Sequence, residues 1–150
     1  RPNLNVKIKI CGKGIDVPLI EEAAKSDSRI EYLGMLTQDQ LFKVYEGADV
    51  LLNLRIEEEE DFHFPGKLLE CLTMGKLVVS TPVAHAERDY GQYMKVLHDI
   101  TSEGLANLIQ EITETSKREL YELGKRARAF MLENRTWKKR TEDILSYMNL

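Results

Sequence analysis

Phe64-Pro65-Gly66-Lys67-Leu68-Leu69-Glu70-Cys71-Leu72-Thr73-Met74-Gly75-Lys76-Leu77-Val78-Val79-Ser80-Thr81 is the stretch that decides the fold. Pro65 stands where a helix starts, because its fixed φ suits the first turn and its missing N–H would have no helical partner there. Leu68, Leu69, Leu72 and Met74 follow at helical spacing and supply a buried stripe. Gly75 ends the helix. Leu77 to Ser80 is a short run, apolar at nearly every position, as in parallel strands buried on both faces.

Toward the N-terminus, Val50 to Leu54 reads as the strand that precedes this helix. Thr37 and Gln40 have capping-box spacing, opening a helix with Leu41, Val44 and Tyr45 on one face. Ile30 to Leu33 is a strand stopped by Gly34, and Val6 to Cys11 another that runs into Gly12-Lys13-Gly14. Asp16 is the expected cap of the next helix, with Pro18 in its first turn and Leu19, Ile20, Ala23 and Ala24 as its apolar face. Toward the C-terminus, Lys95 to Leu97 is a weaker fifth strand. From Ser102 the pattern is helical: first Leu105, Leu108, Ile109 and Ile112, then a helix capped by Ser116 and Glu119, then one carrying Trp137, Ile144, Leu145 and Met148. This alternation predicts an α/β, Rossmann-like, three-layer domain over residues 1–150. Its sheet is mostly parallel, with about five strands and right-handed crossovers, and the helical tail packs on it.

Composition narrows the function classes. A net charge of −4 lacks the basic footprint of a nucleic-acid binder. No apolar run approaches the roughly 20 residues that span a bilayer. Cys11 and Cys71 form no CxxC and read as buried, reduced thiols of a cytoplasmic protein. The three histidines show no ligand spacing, so no metal is expected. The chain starts at Arg1 with neither an initiator Met nor a targeting pattern, which reads as a piece of something longer.

Ligands of open parallel sheets bind at the carboxyl ends of the strands, where three segments fall. At Gly12-Lys13-Gly14 the missing side chains either serve a turn or let backbone N–H groups approach a phosphate. Without a third glycine this is not a dinucleotide fingerprint. At Gly34-Met35-Leu36 the backbone either ends a strand or meets a base edge. At Gly66-Lys67-Leu68 a helix start offers unpaired N–H groups to an anion, with Lys67 adding charge. Glu70, one turn on, either complements the helix dipole or holds two vicinal ribose hydroxyls.

The order of these segments resembles the C-terminal, donor-binding half of a GT-B glycosyltransferase, in particular the retaining enzymes of glycosyltransferase family 4. The resemblance is carried by VKIKICGKG, RIEYLGMLTQDQLFKVYEGADVLLNL and FPGKLLECLTMGKLVVST, between Val6 and Val83, and more loosely by the tail. It implies that Gly12 and Gly14 line a diphosphate cleft and that Gly34, Met35 and Leu36 pass beside the base. It also implies that Gly66, Lys67 and Leu68 meet the diphosphate through helix amides, and that Glu70 matches the glutamate that holds the ribose. The donor would be a nucleotide-diphospho-sugar, bound as substrate with no separate cofactor. The acceptor, a glycan or a lipid-linked one, would be held by an N-terminal domain that this chain lacks.

Departures accompany the resemblance, among them Leu77 in place of the usual proline, which affects a turn rather than chemistry. Phe62 stands where many members have an acidic residue, with Asp61 or Glu60 nearby as substitutes. The strand and basic pair expected upstream of Arg1 are absent from this sequence, and that strand would sit centrally in the sheet. This fragment alone is therefore expected to be inactive. His85 and Glu87 occupy the place of a donor-contacting loop, and His63 precedes the helix start. The basic residues from Lys117 to Arg140 form either a solvated face or a contact with an anionic membrane surface, the inner face for a cytoplasmic protein, or with a lipid-linked acceptor. The competing reading is a non-catalytic regulatory or interaction module that keeps the fold and has lost the ligand.

Overall fold

Strand and helix alternate from the start of the chain, as the periodicities predict. The computed structural model describes residues 4–55, 66–82 and 85–148. The chain divides into two compact units, Arg1–Gly47 and Ala48–Leu150.

The first unit comprises β1 (Ile8–Ile10), α1 (Val17–Ser26), β2 (Ile30–Tyr32) and α2 (Gln38–Glu46). β1 and β2 are parallel, with Ile8 opposite Ile30 and Ile10 opposite Tyr32. Both strands are shorter than their apolar runs. A positive φ of 128° at Gly12 and 66° at Gly34 turns the chain out of the sheet just beyond them, a conformation that costs glycine little. Thr37 has extended backbone, φ −68° and ψ 163°, and closes the predicted capping box with Gln40. Asp16 corrects its expectation. At φ −86° and ψ 2° it lacks the extended geometry that aims a capping side chain at the first-turn amides, and it makes no capping hydrogen bond.

The second unit runs β3 (Val50–Asn53), α3 (Gly66–Thr73), β4 (Leu77–Ser80), α4 (Ala86–Tyr90), a 3-10 turn (Gly91–Tyr93), β5 (Lys95–Val96), α5 (Ser102–Glu114), α6 (Lys117–Asn134) and α7 (Trp137–Tyr147). Its strands lie in the order β3-β4-β5, all parallel. Every residue of β4 is buried, as a strand covered on both faces requires. Leu77 and Val79 form a cluster with Leu97 and Ile112, against which Val50, Leu105, Leu108, Leu120 and Leu123 pack. α3 buries Leu68, Cys71 and Leu72, so Cys71 joins the stripe while Leu69 and Met74 are only half-buried. Leu68 and Leu72 are fully buried, and each contributes roughly 1.5–3 kcal/mol of transfer free energy.

The turn between α3 and β4 explains how close α6 comes. Gly75 adopts φ 72°. A Cβ on Gly124 of α6 would lie 2.5 Å from the Gly75 carbonyl oxygen, so only glycine lets that helix cross the turn. Arg128, one turn further along α6, donates from Nη1 to the Thr73 carbonyl oxygen at 3.0 Å and caps the end of α3.

The tail packs only in part. α5 and α6 supply core residues, but Trp137, Ile144 and Leu145 of α7, and Met148 just after it, are exposed, contrary to the expectation that the whole tail folds onto the sheet. α4 and the 3-10 turn were not anticipated, since they are too short to show a period. They are fixed by aromatic contacts: Tyr93 stacks on Phe130 at 4.5 Å, and Arg135 Nε donates to the Tyr90 hydroxyl at 3.0 Å. Cys71 is buried as expected, whereas Cys11 is exposed because it sits where β1 gives way to the glycine turn; both are free thiols.

Candidate functional site

Within the first unit, two of the predicted segments meet. The Gly12 N–H donates to the Gly34 carbonyl at 2.8 Å, and the Tyr32 hydroxyl donates to the Gly12 carbonyl at 2.7 Å. Both glycine turns therefore sit side by side at the carboxyl end of β1 and β2. The same bonds commit the Gly12 amide to the fold, so it is not one of the donors for a phosphate. Gly14 differs. Its φ lies outside the positive region and a Cβ there would meet nothing within 4 Å, so neither strain nor packing calls for glycine at that position. Lys13 and Met35 are exposed, while Leu36 is half-buried.

In the second unit, β3 and β4 are parallel and α3 connects them. The chain leaves β3 at its carboxyl end and returns along α3, which places the start of α3 at the carboxyl edge of this sheet. Gly66 and Lys67 are exposed there. The Leu68 side chain goes wholly to the core, so a ligand would meet only its backbone. In an α-helix the first four N–H groups have no partner within the helix. Glu70, four residues after Gly66, is half-buried; it is not an interior carboxylate. Pro65, Phe62, Asp61, Glu60 and His63 lie outside the described residues.

Sequence reading missed a polar network at the same edge. Asn53, Ser80 and Thr81 are buried at 5%, 0% and 1% exposure. Asn53 Nδ2 donates to Ser80 Oγ at 3.0 Å. The Thr81 hydroxyl donates to the Arg55 carbonyl at 2.8 Å and accepts from the Arg55 N–H at 3.0 Å. Thr81 thus continues the β3–β4 ladder through its side chain and fixes the backbone at exposed Arg55. The available signal was a polar residue closing an apolar strand, Asn53 after Leu51 and Leu52, which spacing rules alone do not flag.

The other singled-out residues scatter. His85 stands exposed before α4, and His98 Nε2 lies 3.5 Å from Glu87 on the surface. Among the described residues no three His, Cys, Asp or Glu side chains gather as a metal site needs. A Tyr-x-x-x-Lys spacing that the sequence reading overlooked occurs at Tyr121 and Lys125, both exposed on α6.

The carboxyl edge of the second unit thus holds the exposed start of α3, with Lys67 in its first turn. No curated protein matches the chain. A family model described as glycosyl transferase-like matches residues 2–146, which takes in both glycine turns, α3 and the tail helices. On that match, the chain belongs to the glycosyl transferase-like family.

Proposed function

We propose that this chain is the donor-binding domain of a retaining, GT-B, family 4 glycosyltransferase. It would work in the cytoplasm and pass a sugar from a nucleotide-diphospho-sugar to a glycan or lipid-linked acceptor. One observation carries the reading: the start of α3 opens at the carboxyl edge of a parallel sheet, and Glu70 follows within one turn. The first-turn amides of Gly66, Lys67 and Leu68 take the diphosphate, and Glu70 takes the ribose hydroxyls. Gly12, Lys13 and Gly14 line the diphosphate side. Gly34, Met35 and Leu36 pass the base.

The chemistry asked of these groups is electrostatic. Charge accumulates on the diphosphate as the glycosidic bond breaks, and fixed amide dipoles with Lys67 stabilise it without reorganising. Belonging to the family supports sugar transfer in general, and the amide-rich helix start supports the diphosphate donor in particular.

Calorimetric titration with UDP, GDP and ADP tests this. One of the three is expected to bind, with Glu70→Ala and Gly14→Ala each weakening it while leaving the thermal transition in place. Folded protein that binds none of them even in large excess would overturn the donor reading. The alternative, an interaction module that has lost its ligand, draws support from the Gly12 amide, which is already held by Gly34. It is the reading that a null titration leaves standing.

A further inference from the structure

We infer that Tyr32 is a positioning residue: its hydroxyl ends the β1–β2 ladder and aims backbone N–H groups of the Gly12–Gly14 turn at a diphosphate. The inference rests on the donor reading for its ligand and adds the group that shapes the turn. β1 and β2 pair with Ile10 opposite Tyr32, and the Leu33 N–H donates to the Ile10 carbonyl at 2.8 Å. Continued in that register, a parallel ladder would run from the Gly12 N–H to the Leu33 carbonyl, then from the Met35 N–H to the Gly12 carbonyl. Among the described residues neither bond forms. The Gly12 N–H slips one residue on, to the Gly34 carbonyl at 2.8 Å, and the Tyr32 hydroxyl takes the Gly12 carbonyl at 2.7 Å.

Both backbone groups of Gly12 are thereby held. A trans peptide directs its C=O and N–H to opposite sides, so pinning the Gly12 carbonyl on the phenol turns the Lys13 N–H away from Tyr32. The Lys13, Gly14 and Met35 N–H groups bond to no described residue. The space around the turn is open, since a Cβ on Gly12 or on Gly14 would meet nothing within 4 Å. Lys13 is exposed and adds an ammonium to the same turn. Tyr32 itself is half-buried at the end of β2, so the latch sits on the strand while the donors sit beyond it. Without the hydroxyl, the Gly12 carbonyl is free to rotate toward the open side, where it repels an oxyanion. The same rotation withdraws the Lys13 N–H, because the two groups share one rigid plane.

Amide NMR of the whole chain, titrated with UDP, GDP, ADP and inorganic pyrophosphate, tests this. Whichever of them binds is expected to move the Lys13 and Gly14 resonances further than that of Gly12. Tyr32→Phe removes only the hydroxyl and should weaken binding about three- to ten-fold, the worth of one hydrogen bond. It should also erase the Lys13 shift. Arg29→Gln loosens the same unit at the amino end of β2, by removing the pairing with Asp27, and should leave affinity and shifts unchanged. Equal weakening by the two variants overturns the inference, reducing Tyr32 to a stabiliser of the unit. Unchanged affinity in folded Tyr32→Phe overturns it as well, and so does a Gly12 resonance that moves as far as the other two. The shifts of the unmodified protein carry the test if Tyr32→Phe does not fold. A nucleotide that binds without moving Lys13 sinks the inference and spares the donor reading. Pyrophosphate that moves Lys13 and Gly14 where no nucleotide binds does the reverse. Silence with all four sinks both.

Discussion

The two units are built from the same alternation of strand and helix yet are held by different forces. In Ala48–Leu150, α3, β4, α5 and α6 seal a core in which Leu68, Leu72, Val78 and Val79 are excluded from water. In Arg1–Gly47, none of the described residues is buried. Its strand pair presents Ile8, Ile10, Ile30 and Tyr32 only half-covered, and Ile15, Leu19 and Met35 stand in solvent at 93%, 68% and 64%. What specifies the first unit is polar and local: a capping box, the Gly12–Gly34 tie and the Asp27–Arg29 clamp. Burial yields kilocalories per side chain, whereas a cap or an exposed ion pair yields about one or less. The second unit is therefore expected to be much the harder to open, although both glycine turns lie in the first.

The largest effect should come from the core of the second unit. Leu72→Ala removes a fully buried side chain where α3 meets the sheet and should cost about 2–5 kcal/mol in denaturant unfolding. Native-state hydrogen exchange sharpens the contrast. The amides of Val78 and Val79 should lose protection in this variant, while those of β1 and β2, which open more easily to begin with, should scarcely change. Equal protection of both strand groups in the unmodified protein would contradict the division of forces drawn here.

How much of this was legible in the sequence follows the same division. Where burial dominates, the apolar pattern carries the answer: Leu77 to Ser80 is a strand over the residues predicted, and Gly75 stops α3 with a positive φ. Thr37 and Gln40 were legible because a capping box has a fixed spacing. Asp16 was not, because capping depends on its ψ, which residue type does not determine. α7 misled for a related reason. Periodicity shows that Trp137, Ile144, Leu145 and Met148 share a face, but not whether that face meets protein. The edge network of Asn53, Ser80 and Thr81 was invisible because it joins residues 27 apart through side chains. At the first unit's glycine turns, residue type pointed to the turns at Gly12 and Gly34, but not to the capture of the Gly12 amide by Gly34.

A smaller effect is expected from the cap of α2. Thr37 Oγ1 accepts from the Gln40 N–H at 3.3 Å, and Gln40 Oε1 accepts from the Thr37 N–H at 2.9 Å. Thr37→Ala removes the first bond and should cost about 1 kcal/mol. With so little burial in this unit, the loss should appear as faster exchange of the α2 amides, with β4 unaffected. Thr37→Ser should restore most of it. If Thr37→Ala exposed β4 equally, the two units would be one cooperative structure.

The smallest effect concerns Asp27, the acidic half of the clamp between α1 and β2. Its carboxylate receives three hydrogen bonds from the Arg29 guanidinium, at 2.6, 3.0 and 3.2 Å, and one from the Arg29 backbone N–H at 3.0 Å. Arg29 in turn reaches the Leu4 carbonyl with Nη1 at 3.1 Å, so the clamp also holds the chain ahead of β1. The guanidinium bonds, then the backbone bond, lower the carboxyl pKa from 3.8 to about 2. The unfolded chain therefore binds this proton more readily than the folded one. The contribution to stability is complete above the unfolded pKa, shrinks as pH falls below it, and is gone once pH has passed below the folded value of about 2. Because the pair is about one-third exposed, salt should weaken it. Carboxyl NMR should find Asp27 titrating near pH 2, and Arg29→Gln should return it toward the ordinary range and flatten the acid limb of first-unit protection. A normal Asp27 titration in the unmodified protein would remove the clamp from the forces holding β1 to β2, leaving that unit with the glycine tie and the cap.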